Sequence, residues 1–384
     1  MFFLLLVATK QFFSYFCSQE LQIAETTKVK NMKRTILLLS ALTMLFGSSR
    51  AQGPNDSGTY YQAANGTKGA ALKTALCGII YNRNEGGSLS NAYRALWTHF
   101  QTTDARPNGT VWDMYSNKRE MTFGTDQDKG SGNQEGQFYN REHSFPNSWF
   151  GGEVMPMYTD LHHLYPTDKV VNNKRGNNPF GETNGESFKS ANDFSKLGKC
   201  TVEGYTGTVF EPNDEYKGDF ARTYFYMVTC YEEKIADWYN NYGVNNNDKN
   251  KKDTKEAVMA TLDGNTYPGL SSWQLKMLMR WAKSDPVSEK EINRNKAVYG
   301  IQLNRNPFID YPGLEDYIWG DKTDVAFSYD NFGANPTGIH EIATTPSTTS
   351  SHGIHDLSGR RVKKATKGVY IVDGRKYIPT FNKR

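Results

Sequence analysis

Three neighbouring segments constrain this chain more than any other part of its sequence. They read N-R-E-H-S-F-P-N-S-W-F at Asn140–Phe150, D-L-H-H-L-Y-P at Asp160–Pro166 and K-V-V-N-N-K-R-G-N-N at Lys169–Asn178. Carboxylate, imidazole, amide and guanidinium groups are concentrated there, and the segments contain few apolar stretches that would be buried in a core. This mixture suits phosphodiester hydrolysis, because it can supply a general base for water, oxygen ligands for a hard cation and a cation for phosphate.

The first segment contains the pair Glu142-His143. A neutral histidine is the usual general base near neutral pH, and a neighbouring glutamate could hold a divalent cation. Adjacent side chains on a regular strand face opposite ways. Both residues can therefore serve one site only if the backbone is irregular there, which the nearby Pro146 supports.

The third segment predicts a short helix, Asp168–Arg175, with Thr167 as its N-cap. Asn172 and Arg175 are three residues apart and share a face of that helix, whereas Asn173 points away from it. An amide oxygen is a suitable ligand for Mg²⁺, and an arginine one turn later could bind a phosphate through two hydrogen bonds. In the second segment, Asp160, His162 and His163 could orient other groups, ligate a metal, or only cap and satisfy turns.

These segments resemble the endonuclease I family of bacterial secreted and periplasmic nucleases. The resemblance also rests on three further stretches, which are V-N-N-K-R-G-N-N-P-F-G-E at Val171–Glu182, G-D-F-A-R-T-Y-F-Y-M at Gly218–Met227 and N-R-N-P-F-I-D-Y-P at Asn304–Pro312. Ordered blocks at matching spacing are far more specific than a single motif. The family belongs to the ββα-metal (His-Me finger) superfamily, so the resemblance implies an α+β fold with a ββα-metal core inside a mostly helical nuclease domain.

The resemblance also implies roles for individual residues. His143 would be the general base, while Glu142 and Asn172 would hold one Mg²⁺, for which Mn²⁺ or Ca²⁺ could substitute. Arg175 is the leading candidate for binding the phosphate. Other positions in the matched blocks are candidates for supporting the site or contacting substrate, and these are Arg141, Asp160, His162, His163 and Asn177. The implied substrate is the backbone of DNA, or of RNA, cut with little sequence preference to leave 5′-phosphates, and no stable protein partner is implied.

Two other interpretations remain open at this point. In the first, the protein is a zinc-dependent hydrolase that uses His143, His162 and His163 as ligands. In the second, it is a surface adhesin or nucleic-acid-binding module without catalysis, and the blocks are structural. The net charge of +4 is compatible with a polyanionic partner in every case and does not choose among them.

The N-terminal region predicts export. Residues 1–31 are interpreted as upstream sequence, and 32–51 as a signal peptide with Met32-Lys33-Arg34 as its basic start and Ser49-Arg50-Ala51 as its cleavage site. The apolar run Thr35–Phe46 is shorter than the roughly 20 residues of a membrane-spanning helix. We therefore expect a secreted, periplasmic or cell-surface protein whose nuclease domain covers 52–332.

The C-terminal region changes character after that domain. Residues 333–352 are rich in Thr and Ser and predict a linker. Residues 353–384 predict two or three short strands, too few for an independent core. This tail resembles the C-terminal segments of exported Bacteroidetes-type proteins that use a dedicated secretion route, so the export machinery is the implied partner of both ends of the chain.

Elsewhere, periodicity predicts four helices and two irregular segments. The helices are Ala71–Ile80, Leu89–Phe100, Asp219–Glu232 and Ser271–Ser284, and the irregular segments are an exposed loop at Asn240–Lys255 and turns at Asn304–Pro312 that close the globular part near Trp319. Removal of the signal peptide leaves Cys77, Cys200 and Cys230. Either Cys200 and Cys230 form a disulfide, or all three are buried and unpaired.

Overall fold

The computed structural model describes residues 53–81, 93–241 and 251–333, together with four short strands between 354 and 377. The predicted upstream segment, the signal peptide and nearly all of the predicted linker lie outside the described residues. The chain divides into two compact units, with the boundary between Phe332 and Gly333. No helix among the described residues combines the length and the apolar character needed to cross a membrane.

Helices make up most of the first unit, and small antiparallel sheets complete it. The helices are α1 (Gly69–Tyr81), α2 (Leu96–Thr103), α3 (Lys169–Arg175), α4 (Lys217–Cys230), α5 (Ile235–Asn241), α6 (Lys251–Thr261), α7 (Ser272–Ser284), α8 (Glu289–Gln302), α9 (Pro307–Asp310) and α10 (Leu314–Ile318). Short 3₁₀ turns occupy Pro54–Asp56, Gln62–Ala64, Tyr93–Ala95, Asn147–Phe150, Met157–Thr159, Leu161–His163, Ala191–Asp193, Asp214–Tyr216 and Glu232–Lys234.

Two sheets belong to this unit. Strands β1 (Tyr139–His143) and β2 (Leu164–Asp168) pair antiparallel. Strands β3 (Phe188–Lys189), β4 (Lys196–Lys199) and β5 (Thr208–Glu211) form a second antiparallel sheet in that order. The mixture of helices and small sheets confirms the predicted α+β class.

Helix α4 is the centre of the core. All of its residues except Lys217 are buried, and it packs against α1, α7 and α9. Its polar side chains are tolerated inside because they are paired: Arg222 bonds Glu291 at 2.6 and 2.9 Å, and Asp219 forms an ion pair with Lys290. A buried charge without such a partner would be strongly destabilising.

The helix predictions were correct for α1, α4 and α7. The predicted helix Leu89–Phe100 was correct in part, since the described chain enters a 3₁₀ turn at Tyr93 and the α-helix only at Leu96. The loop predicted at Asn240–Lys255 was wrong at both ends, because α5 continues to Asn241 and α6 begins at Lys251. Helix α6 begins with polar residues, and the side chains that anchor it, such as Val258, come only later.

The globular part does not close near Trp319 as predicted. Val325 and Phe332 pack on the core, and Phe327 and Tyr329 are buried in it. The chain after α10 therefore belongs to the first unit as far as its boundary with the second.

The second unit contains more strands than the sequence predicted. Strands β6 (Ile354–His355), β7 (Arg361–Val362), β8 (Tyr370–Val372) and β9 (Arg375–Tyr377) form an antiparallel sheet in the order β7-β6-β8-β9. Four strands replace the predicted two or three. Each is two or three residues long, so neither apolar alternation nor length gives a clear sequence signal.

No disulfide joins the cysteine residues of the described chain. Of the two alternatives, the Cys200–Cys230 disulfide is therefore excluded, and the three buried thiols are correct for Cys77 and Cys230, whereas Cys200 is partly exposed. The sulfur of Cys77 lies 3.5 Å from the carbonyl oxygen of Cys230, which places Cys230 beside helix α1 instead.

Candidate active site

The site is organised by a hairpin that continues directly into a helix. Strand β1 pairs with β2 so that Glu142 lies opposite Tyr165 and His143 opposite Leu164, and α3 follows β2 with no residue between them. Asp168 is both the last residue of β2 and the N-cap of α3. Its side chain accepts hydrogen bonds from the backbone N–H groups of Val170 at 2.8 Å and Val171 at 3.0 Å.

The predicted N-cap, Thr167, was therefore wrong by one residue. Asp168 is the better cap because its second carboxylate oxygen also accepts from the N–H of Gly136 at 2.6 Å, which ties the preceding loop to the helix start. The Thr167 hydroxyl is buried without a partner among the described residues.

Glu142 is held from two sides. Its Oε1 accepts a hydrogen bond from the Tyr115 hydroxyl at 2.7 Å and pairs with the guanidinium of Arg175. Arg175 also donates to the carbonyl oxygens of His143 at 3.1 Å and Ser144 at 2.6 Å. Both bonds to the carboxylate fall on Oε1, so Oε2 keeps its capacity to bind a cation.

Asn172 lies on the same side of the hairpin. Its Nδ2 donates to Oδ1 of Asn140 at 2.8 Å, and Asn140 shares a face of β1 with Glu142 because strand side chains alternate. The amide nitrogen is thus committed, which leaves the amide oxygen of Asn172 for a ligand. Asn173 is exposed on another face of α3, as the helix periodicity predicted.

Oxygen atoms from one carboxylate and one amide are a fitting donor set for Mg²⁺. This ion keeps several waters and commonly takes only one or two protein ligands. The described residues contain no cluster of three or more His, Cys, Asp or Glu side chains that could enclose a metal.

The ring of His143 lies among aromatic side chains at the end of β1. It is nearly parallel to Tyr158, with centroids 5.1 Å apart, and to Tyr93, with centroids 6.1 Å apart. Its Nε2 is 2.9 Å from the backbone oxygen of Tyr158. A carbonyl oxygen can only accept, so Nε2 carries the proton and Nδ1 has the free lone pair.

Burial and the neighbouring His163 lower the pKa of His143 to about 3. The imidazole is therefore neutral near pH 7, which is the form that can accept a proton from water. Glu142 and His143 are adjacent residues of the strand β1, so their side chains start on opposite faces, and the irregular backbone expected around Pro146 does not reach them. His143 is the last residue of the strand, and the chain leaves β1 immediately after it.

Arg175 is not placed to bind a phosphate, which corrects the sequence-based assignment. Its side chain is 0% exposed. Its terminal nitrogens are directed at Glu142, at two backbone carbonyls and at the Tyr224 hydroxyl, and its Nε has no partner among the described residues. The guanidinium also lies 4.4 Å from the ring centre of Phe180. In this position Arg175 holds Glu142 and the turn after β1 in place.

Arg141 is a cation beside the site that is held by aromatic rings and a backbone carbonyl. Its guanidinium lies over the rings of Tyr93 at 3.6 Å and Trp97 at 4.4 Å and donates to the Tyr93 carbonyl at 2.9 Å. No carboxylate in the described part of the chain forms an ion pair with it, and burial lowers its pKa. Arg141 shares a face of β1 with His143 because the two are two residues apart.

The second motif has a structural role in this arrangement. Asp160 is fully buried and accepts hydrogen bonds from the hydroxyls of Tyr226 at 2.8 Å and Tyr231 at 2.7 Å. His162 faces the carbonyl of Asn304 at 3.2 Å. His163 faces that of Met157 at 2.7 Å, with its ring centre 5.5 Å from that of His143.

The three histidines of the zinc alternative therefore point their Nε2 atoms at three different backbone carbonyls. None of these protonated nitrogens can ligate a metal, which leaves only Nδ1 as a possible ligand atom of each ring. No group of three or more His, Cys, Asp or Glu side chains among the described residues could hold a metal, so the described geometry gives the zinc interpretation no support. Asn177 is also outside the cluster, with its amide 3.5 Å from the Thr254 hydroxyl of α6.

Sequence reasoning missed several groups that the fold brings to the site. Tyr115 and Tyr93 come from segments far from the motifs, and no local pattern marks them. Tyr158 contributes through its backbone oxygen, which any residue would supply. Asn140 is the first residue of the segment Asn140–Phe150. The alternation of side chains along a strand predicts that it lies on the same face of β1 as Glu142.

Known proteins match long stretches of this chain. The sequence model of the endonuclease I family matches residues 68–313. An extracellular ribonuclease of Bacillus amyloliquefaciens is 35% identical over 272 residues, covering 69% of this chain and 79% of that protein. An extracellular ribonuclease of Bacillus subtilis (strain 168) is 33% identical over 269 residues, with the same coverage. A periplasmic deoxyribonuclease of Aeromonas hydrophila is 26% identical over 160 residues, covering 41% of this chain and 50% of that protein.

Proposed function

Because the chain belongs to the endonuclease I family and is thus a nuclease, we propose that it is an exported, Mg²⁺-dependent endonuclease with little sequence preference. Strands β1 and β2 with helix α3 form its ββα-metal core. The observation that carries this proposal is the neutral His143, whose Nε2–H is held by the Tyr158 carbonyl. That bond leaves Nδ1 as a proton acceptor.

The chain's own residues perform the proton transfer and the positioning. Nδ1 of His143 takes a proton from the attacking water. Tyr115 and Arg175 fix the carboxylate of Glu142, and Asn140 fixes the amide of Asn172. A Mg²⁺ ion held by Glu142 and Asn172 would supply positive charge for the scissile phosphate and the departing 3′ oxygen.

The substrate class is nucleic acid in general. The relatives that cover most of this chain are named ribonucleases, and a shorter match is named a deoxyribonuclease. Backbone recognition through cations carries no base information, so both RNA and DNA are substrates in this proposal. The names extracellular and periplasmic among the relatives support export by the signal peptide at 32–51, with the C-terminal tail as a further address.

Removal of the metal ion tests the proposal. The purified protein should cleave plasmid DNA and RNA in Mg²⁺ and stop in EDTA. The Asn172→Ala variant should need a higher Mg²⁺ concentration, by roughly ten- to a hundredfold, because it lacks one of two protein ligands. The measurement is the initial rate of cleavage as a function of Mg²⁺ concentration.

Asn173→Ala is the matched control, since it removes the same amide from an exposed position one residue along α3. Its Mg²⁺ dependence should equal that of the wild type. Cleavage that persists in EDTA, or restoration by zinc and not by Mg²⁺, would contradict the metal assignment. Binding without cleavage at high Mg²⁺ would favour the adhesin alternative.

We assign the phosphate contact to Arg141. Arg141→Ala should lower kcat/KM by roughly ten- to a hundredfold, the usual cost of a hydrogen bond to a charged group. Arg94→Ala removes the same charge from an exposed neighbouring position and should change kcat/KM much less. Equal effects of the two substitutions in steady-state cleavage assays would show that only the overall charge matters.

A further inference from the structure

The segment 113–116 supplies the hydroxyl group that holds Glu142, although it lies outside the three motifs and outside every helix and strand. Tyr115 donates that bond at 2.7 Å. The residue is fully buried, and its ring centre is 4.7 Å from that of Phe210. Whatever fixes the backbone of this segment therefore also fixes the hydrogen bond to Glu142.

The carboxyl group of Asp113 joins this segment to the start of helix α3. Its Oδ1 accepts hydrogen bonds from the backbone N–H groups of Tyr115 at 2.8 Å and Ser116 at 3.3 Å. Its Oδ2 accepts from the backbone N–H of Asp168 at 3.1 Å. Asp168 is the N-cap of α3, and that helix carries Asn172. One side chain thus connects the support of the first candidate ligand to the helix that carries the second.

Asp113 is costly to bury at this place. The residue is 4% exposed, and the charge of a second carboxylate, Asp168, adds to the cost. Burial raises the pKa of Asp113 to about 8, although the N–H donors of Tyr115, Asp168 and Ser116 oppose the rise. Backbone N–H groups are therefore what stabilise this carboxyl group inside the protein.

We propose that Asp113 is a positioning residue that sets the spacing of the two metal ligands, Glu142 and Asn172. This inference rests on the proposed function, which takes these two residues as the ligands. Mg²⁺ demands near-ideal octahedral geometry with ligand distances of about 2.0–2.1 Å, so a small shift of one ligand weakens its binding. Asp113 acts on Glu142 through Tyr115 and on Asn172 through Asp168.

Binding of Mn²⁺ to the full-length protein tests this assignment without cleavage, since the electron paramagnetic resonance signal reports the free ion. Asp113→Asn should weaken Mn²⁺ binding by roughly ten- to a hundredfold, the usual cost of altering a group that orients metal ligands. Whichever oxygen its amide nitrogen replaces, an NH₂ group then faces a backbone N–H, and two donors cannot bond each other. Asn172→Ala defines the background of Mn²⁺ bound elsewhere. A folded Asp113→Asn protein with wild-type Mn²⁺ affinity would overturn the proposal.

Asp310→Asn separates positioning from a general loss of stability. Asp310 is also buried, at 1% exposed, and its carboxylate bonds Tyr61 and Arg305. This variant should unfold at a lower urea concentration than the wild type, whereas its folded form should keep wild-type Mn²⁺ affinity. Equally weakened Mn²⁺ binding in the Asp310 and Asp113 variants would overturn the proposal, because the effect would then follow stability.

Tyr115→Phe covers the case in which Asp113→Asn fails to fold. It removes only the hydroxyl that carries the effect of Asp113 to Glu142, so it should also weaken Mn²⁺ binding. Unchanged affinity in this variant would overturn the proposal. Where both variants fold, their combination should weaken binding by less than the product of the single effects, because they share one route.

The same titrations separate this inference from the proposed function. A wild type without Mn²⁺ binding that Asn172→Ala removes would refute the proposed metal site, and with it the positioning role. Wild-type binding that depends on Asn172 and is unaffected by Asp113→Asn would refute the positioning role alone.

Discussion

Replacing His143 with alanine should lower the rate of cleavage by roughly two to four orders of magnitude, the usual contribution of a positioned general base. The imidazole is neutral, and the Tyr158 carbonyl directs its free nitrogen, Nδ1, away from that bond. His162 and His163 also point Nε2 at backbone carbonyls, but they are only 2% and 0% exposed, against 8% for His143. Single-turnover cleavage of plasmid DNA at saturating Mg²⁺ measures the effect, and binding to a non-cleavable oligonucleotide should be retained.

His162→Asn is the control for a purely structural loss. His162 is more deeply buried than His143 and also faces a backbone carbonyl, so its replacement should reduce stability but not the rate of the folded fraction. Added imidazole should restore part of the rate to His143→Ala and none to His162→Asn. Near-normal cleavage by His143→Ala would exclude it as the base.

Replacing Arg175 with alanine should lower the free energy of unfolding by about 3–5 kcal/mol, the cost of breaking a buried ion pair from one side. Glu142 is 4% exposed in the wild-type protein, and in the variant it would keep only the hydrogen bond from the Tyr115 hydroxyl. The carbonyl oxygens of His143 and Ser144 would also lose their donor. Urea denaturation followed by circular dichroism measures this quantity.

Lys174→Ala removes a neighbouring charge from an exposed position on α3 and should change the free energy of unfolding by no more than about 0.5 kcal/mol. The comparison separates the two roles considered for Arg175. A stable Arg175→Ala protein with a raised KM would restore the phosphate-binding assignment. A destabilised protein supports the positioning role.

Local sequence patterns predicted the parts of the fold that depend on periodicity. Helices α1, α4 and α7 have apolar groups at helical spacing, and each was located to within a few residues. Asn172 was separated from Asn173 for the same reason, because the phase of a short helix can be counted from its residues. These features are local, so no knowledge of the tertiary structure was needed.

The partners within the site could not be predicted in this way. Tyr115 is 27 residues from Glu142, and Tyr93 is 48 from Arg141. Only the packed fold brings them together. The burial of Arg175 could not be predicted for a related reason. A polar helix face is usually exposed to solvent, and the Glu142 carboxylate and the two backbone carbonyls that cover Arg175 come from β1 and the turn after it.

The junction between β2 and α3 restricts how this chain can change in length. Because Asp168 serves both elements, one inserted residue there would rotate Asn172 and Arg175 by about 100° around the helix axis. The amide nitrogen of Asn172 would then miss Asn140, and the guanidinium of Arg175 would miss Glu142. The turn from 200 to 207, which joins β4 to β5, supplies no group to the candidate site and has no such phase to preserve. Insertions and deletions acquired during divergence should therefore accumulate in connecting stretches of this kind and be eliminated at the strand–helix junction.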